Sequence, residues 1–176
     1  MLKVLGSFIV FLTILFFPRS AVSAYVLPYP SLMPGHKLYR VMRLFDDAKR
    51  YWYWGSLSSY RYNLGQSDKA LVEAKTLFEY RQYLLAVHAL ERSNRSLQRV
   101  PDFLRQAKDK GKNIEKYIQE FGNAMDEHKR LITAIKQDTP EKFTWAPEKN
   151  TPQVLSIRQA LFESEKIRNE ITKKLP

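Results

Sequence analysis

The chemistry available to this chain of 176 residues rests on three histidines, 18 acids and the hydroxyl residues, because it has no cysteine. His36, His88 and His128 stand far apart, and no H-E-x-x-H pair places two imidazoles on one helix face. A di-iron bundle needs Glu three residues before His, but Leu85 precedes His88 and Met125 precedes His128 at that spacing. No metal site and no cofactor are therefore expected, and His128 reads as a packing residue. No G-x-S-x-G elbow occurs, and no Ser is followed three residues later by Lys. The acid pairs Asp46/Asp47 and Asp126/Glu127 are chain neighbours, so on a helix they diverge by about 100° and do not face each other. With only 6 glycines, a phosphate-cradling loop is also disfavoured. The sequence predicts no catalytic residue and no enzyme; an enzyme acting on envelope polymers through distant carboxylates is the least favoured alternative.

One stretch has the residue types of a binding surface. Tyr51-Trp52-Tyr53-Trp54, with Tyr60 and Tyr62, gathers six of the 13 Tyr and Trp residues into a twelve-residue span. Arg40, Arg43, Arg50 and Arg61 lie close by in sequence. Aromatic faces beside guanidinium groups suit a glycan, an extended peptide or a lipid headgroup zone. The candidate partner surface is Arg40, Arg43, Arg50, Tyr51, Tyr53, Trp54 and Arg61. The competing expectation, favoured by how aromatics usually behave, is that Trp52 and one neighbour fill the end of a core while the tyrosines cap it.

These residues must be positioned by helices. Leu38, Val41, Phe45, Ala48 and Trp52 follow spacings of 3 and 4. So do Leu57, Tyr60, Leu64, Ser67, Leu71, Ala74 and Phe78, then Tyr83, Val87, Leu90, Asn94 and Leu97. Ile114, Ile118, Phe121, Met125, His128, Ile132 and Ile135 form a fourth seam, and Val154, Ile157, Leu161, Ile167 and Ile171 mark a last apolar side. Such spacing puts side chains on one face of an α-helix, and no long segment alternates by two as a strand would. Each seam is expected to be buried against another, in this chain or in a second copy. Gly55-Ser56 separates the first two helices, with Ser56 as N-cap, and a turn near Tyr80 to Gln82 makes the next two antiparallel. Ala74, Leu77, Tyr83, Ala86, Leu90 and Ser93 approximate a tetratricopeptide helix pair, but one unit is read as an ordinary helical hairpin. The expectation is an all-α antiparallel bundle of long helices.

Residues 1–24 read as an export signal: Lys3, then an apolar run 14 residues long from Val4 to Phe17, then Pro18 and the small residues of Val22-Ser23-Ala24. Fourteen helical residues span about 21 Å, short of a roughly 30 Å hydrocarbon core, so a retained anchor is the poorer alternative. Cleavage is expected at Ala24/Tyr25. A Pro-rich leader follows at 25–35, the main helical domain at 36–137, a loop at 138–152 and a C-terminal helix at 153–174. The chain carries 29 Lys and Arg against 18 Asp and Glu, a formal charge of +11; the surplus reads first as a solvated surface, with anionic envelope polymers or lipid headgroups as the alternative partners.

Pro34-Gly35-His36-Lys37-Leu38-Tyr39, with Arg43 and Asp46 beyond it and Ala70-Leu71-Val72-Glu73-Ala74 further on, resembles an uncharacterised bacterial family, domain of unknown function 5667. The resemblance spans residues 33–98, and Met42 stands where that family carries a basic residue. It implies an extracytoplasmic helical protein and lends no catalytic residue. The sequence thus predicts an exported, non-enzymatic binding or scaffold module at the bacterial cell envelope. Its partner would be a protein, an anionic envelope polymer or a membrane surface, with no nucleic acid. Homo-oligomers through the helical seams are an option, and the runner-up function is a periplasmic-type chaperone or stress sensor.

Overall fold

The computed structural model describes residues 25–29, 32–149 and 151–176. The export signal expected at residues 1–24 lies outside them. The fold is mainly helical: α1 (Tyr39–Lys49), α2 (Ser56–Glu79), α3 (Tyr83–Leu97), α4 (Val100–Asp109), α5 (Glu115–Asp138), a hairpin of β1 (Lys142–Trp145) and β2 (Gln153–Ser156), and α6 (Ile157–Lys173). Among the described residues no helix is long and apolar enough to cross a membrane.

Four helices make the bundle, and the 3–4 spacing explains how. Leu71, Ala74, Leu77 and Phe78 of α2, Ala86 and Leu90 of α3, Ile132 and Ile135 of α5, and Ile157 and Leu161 of α6 form one apolar cluster. Tyr60 and Leu64 of α2, Leu97 of α3, Phe121, Ala124 and Met125 of α5 and Ile171 of α6 form the other, sealed by Val100 and Leu104 of α4. Along the chain α2 and α5 run from the second cluster to the first, while α3 and α6 run back. The topology is therefore up-down-up-down, as short connections favour. The α2–α3 turn closes through Arg81, whose φ of 58° is an uncommon left-handed conformation. Pro101 sits in the first turn of α4, where its missing N–H costs nothing.

Three expectations need correction. The segment 138–152 is not a plain loop, because Lys142–Trp145 pairs antiparallel with Gln153–Ser156 and Phe143 faces Leu155. That hairpin lays Phe143 on the Tyr83 ring, centroids 4.8 Å apart, and so lids the first cluster. Val154 is consequently an exposed strand residue and no part of the last helix. Ser56 does not cap α2: the N-cap is Gly55, and the Ser56 hydroxyl is buried without a partner among the described residues. Most consequential, the first seam is not buried at all. Leu38, Val41, Phe45 and Trp52 are exposed, and α1 has no buried residue.

Candidate functional site

Between the two apolar clusters each long helix contributes polar side chains at one level: Ser67 and Asp68 from α2, Ser93 and Asn94 from α3, His128 from α5, and Ser164 and Arg168 from α6. Asp68, His128 and Arg168 are all buried, with His128 fully enclosed. Asp68 Oδ1 lies 2.7 Å from His128 Nε2, and Tyr25 Oη donates to Asp68 Oδ2 at 2.5 Å. Arg168 Nε donates to His128 Nδ1 at 3.2 Å, which requires Nδ1 to be the acceptor and leaves Nε2 as the protonated nitrogen facing Asp68. The remaining Arg168 donors reach Asn94 Oδ1 at 2.7 Å, Ser93 Oγ at 2.9 Å and the Ser164 carbonyl at 2.9 Å.

The electrostatics agree with a neutral imidazole between two opposite charges. Burial pushes the His128 pKa down, the Asp68 hydrogen bond opposes that shift, and the Arg168 charge reinforces it. Burial likewise pushes Arg168 down to about 9, with Asp68 opposing, so the guanidinium stays charged at neutral pH. Burial, then Asp68, drives the Tyr25 hydroxyl upward, so it remains a donor. Among the described residues no hydroxyl is hydrogen-bonded to His128. The network joins α2, α3, α5 and α6 at one level and holds them in register. Among the described residues no three His, Asp or Glu side chains converge where a metal ion could sit.

The second constellation is outside the bundle, and α1 is its frame. At 100° per residue, Leu44, Ala48, Val41, Phe45, Leu38 and Met42 form one side of the helix, while Tyr39, Asp46, Arg50 and Arg43 form the other. The polar side turns toward the bundle. Tyr39 Oη donates to Glu73 at 2.7 Å and accepts from Arg92 at 3.3 Å, while Arg92 pairs with Glu73 at 2.8 Å. Tyr62 Oη donates to the Asp46 carbonyl at 2.7 Å, and Lys69 reaches the Asp46 carboxylate at 3.4 Å. Burial, followed by its Glu73 hydrogen bond, raises the Tyr39 pKa; burial, then Asp47, raises that of Tyr62. The apolar side is left facing solvent, with Leu44 70% and Phe45 62% exposed.

Between α1 and the α2–α3 hairpin this docking leaves a cleft of about 570 Å³. Arg43, Arg50, Lys69, Arg92, Arg95 and Arg99 line it, against Asp46, Asp47 and Glu73. Two of the three acids are engaged, Asp46 with Lys49 and Lys69 and Glu73 with Arg92 and Tyr39. Arg92 Nε is buried without a partner among the described residues.

The helix ends at Lys49, so the four-aromatic run leaves it as a turn and an irregular segment. Gly55, at φ 89°, then restarts the chain into α2, a conformation that disfavours any side chain. Trp52 is 80% and Trp54 84% exposed, which corrects the expectation that Trp52 fills the end of the bundle. Tyr53 is the aromatic that packs, its ring 5.2 Å from that of Tyr62. Trp54 Nε1 donates to the Tyr51 carbonyl, and the Arg50 guanidinium lies 5.5 Å from the centroid of the exposed Tyr51 ring.

Of the residues expected to form a partner surface, Arg43, Arg50 and Tyr51 therefore meet at the cleft, Arg40 is exposed on α1, and Tyr53 and Trp54 continue the same flank. Arg61 is not brought to them. It turns to α5, where it donates to Tyr117 Oη at 3.1 Å and stacks 5.3 Å from that ring. The sequence reading missed Lys69, Arg92, Arg95 and Arg99 as cleft residues. It also missed Asp68 and Arg168, although both fall at the 3–4 spacing of buried neighbours, Leu64-Asp68-Leu71 and Leu161-Ser164-Arg168-Ile171.

Comparison with family models, characterised proteins and solved structures returns no match for this chain.

Proposed function

We propose that this protein is an exported, non-enzymatic binding module of the bacterial cell envelope, which engages an anionic or amphipathic partner through α1, the Tyr51–Trp54 run and the basic cleft behind them. The observation that carries the reading is the orientation of α1: its polar side is spent on the bundle while its apolar side, two tryptophans and a surplus of cations face outward. Exposed apolar surface of this kind marks interaction sites. The signal-like residues 1–24 support the location. The non-enzymatic reading is supported by the chemistry of the two polar clusters: Asp68 and His128 are sealed in the core, and Asp46 and Glu73 of the cleft are held by cations.

The test is capture from an envelope extract, alongside thermal shifts with cell-wall glycans, anionic lipids and peptides. The expected outcome is a captured partner lost in the Arg50→Ala/Trp54→Ala variant with its unfolding midpoint unchanged. Capture that survives those substitutions, or no partner in any arm, overturns the assignment. A second reading, a chaperone holding unfolded clients, is favoured by the same exposed Leu44, Phe45, Trp52 and Trp54. It predicts suppression of client aggregation at equimolar protein, which a dedicated envelope binder would not give.

A further inference from the structure

We infer that α1 and the aromatic run after it form a membrane-interface arm, which lies in the headgroup layer of an anionic bilayer with Leu44 and Phe45 directed into the acyl region. This rests on the binding reading above and names its partner. Three independent features on one flank select lipid over a protein groove.

The first is the sense of the amphipathicity. A helix belonging to the bundle would turn Val41, Leu44 and Phe45 inward, yet here the inward contacts are Tyr39 with Glu73 and Arg92, and Asp46 with Lys69. The arm is tethered by polar groups, so its apolar face stays free without loosening the core. The second is charge. Between His36 and Trp54 stand Lys37, Arg40, Arg43, Lys49 and Arg50 against Asp46 and Asp47, within a chain of formal charge +11. Basic residues beside an exposed apolar stripe are the composition of helices that lie in the interface plane, and anionic lipid strengthens their binding.

The third is the aromatic complement. Trp52 and Trp54 are 80% and 84% exposed, and Tyr51 is exposed beside Arg50. Rings with an apolar body and one polar edge prefer the headgroup level, where both demands are met at once. Gly55 separates this unit from α2, so the arm can seat on a surface while the bundle keeps its register. The basic cleft lies behind the arm, on the polar side of α1, and adds Lys69, Arg92, Arg95 and Arg99 to the positive field of this flank.

The experiment uses the full chain carrying Trp145→Phe, so that only Trp52 and Trp54 report. Vesicles of equal phosphatidylethanolamine and phosphatidylglycerol are compared with pure phosphatidylcholine, each with and without bromine-labelled acyl chains. The expected result is a blue-shifted emission quenched by brominated lipid, with binding about tenfold weaker or less on the neutral vesicles. Leu44→Asp/Phe45→Asp should cut the quenching at least about tenfold while leaving the unfolding midpoint in place, since both side chains lie outside the core. Because the signal comes from the arm itself, vesicle binding driven by Val4–Phe17 alone gives no quenching and counts against the inference. Quenching that persists in the double variant overturns it. So does a blue shift that grows with protein concentration in the absence of vesicles, which assigns the face to a second copy. If an extract yields an arm-dependent partner while vesicles fail, the lipid assignment falls and the broader binding function stands.

Discussion

In α2, α3, α5 and α6 most apolar side chains turn inward, and Asp68, His128 and Arg168 are buried among them; in α1 Tyr39 and Asp46 turn inward, and Leu44 and Phe45 do not. Both regions break the ordinary partition of polar and apolar groups, but with opposite consequences. Inside the bundle, each misplaced charge is matched by partners within 3.3 Å from several helices, so the exception binds the helices in one register. On the arm the misplaced apolar groups are exposed among the described residues, so the exception costs the fold little and leaves a face free to act. Burial of a misplaced group makes it structural; exposure makes it available.

The largest effect that tests this contrast comes from Asp68→Asn. It leaves the Arg168 charge buried without its counter-charge, and breaking such a network typically costs about 3–5 kcal/mol. Urea unfolding should show that loss, whereas a single arm substitution such as Leu44→Ser should stay within about 0.5 kcal/mol. Equal effects at the two positions would dissolve the distinction. The contrast sharpens with Asp68→Leu/His128→Leu/Arg168→Met, in which no charge is stranded. Its stability should recover to near or above that of the parent, because a fully satisfied buried ion set gains little over apolar packing.

The next effect is a pH dependence. His128 meets Asp68 from α2 and Arg168 from α6, with Glu127 as its chain neighbour, and its folded pKa lies below the unfolded value of 6.5. Below pH 6.5 the unfolded chain takes up a proton that the folded one refuses, so stability falls as the pH drops, until the folded pKa is passed. The slope for one such group approaches about 1.4 kcal/mol per pH unit. Unfolding curves between pH 7 and 5 should show it, and His128→Gln should remove that component. A wild-type profile no steeper than that of His128→Gln would mean that His128 is not held neutral.

The bundle was largely legible in sequence because a 3–4 rhythm is a direct image of helix geometry, and Leu64, Leu71, Leu90, Phe121 and Ile132 carry it without interruption. The polar layer was half legible. His128 stood on its seam and was read as packing, but Asp68 and Arg168 were passed over, since a charged residue at a seam position looks like an edge unless its partners on other helices are known. The hairpin was illegible because its two strands are four residues each, too short for a period of two to register. The arm misled most. Its periodicity foretells an amphipathic helix correctly, yet periodicity fixes only which side chains share a face and never which way that face points. That choice was made by Glu73, Arg92 and Lys69, distant residues that hold the polar side.

Tyr39→Phe isolates that choice and has the smallest expected effect. The Tyr39 hydroxyl donates to Glu73 and accepts from Arg92, while the Glu73–Arg92 pair at 2.8 Å does not need it. Loss of the hydroxyl should therefore weaken the hold on α1 by about 1 kcal/mol, the net worth of an ordinary hydrogen bond. Local opening then becomes about fivefold more frequent, and amide exchange should accelerate by that factor in α1. Exchange at Leu71 and Ala74, deep in the first cluster, should be unchanged because the bundle does not open with the arm. Unaltered exchange in α1 would mean that other contacts orient it. Equal acceleration in α2 would mean that arm and bundle open as one unit, and the separation on which the membrane-facing role depends would be lost.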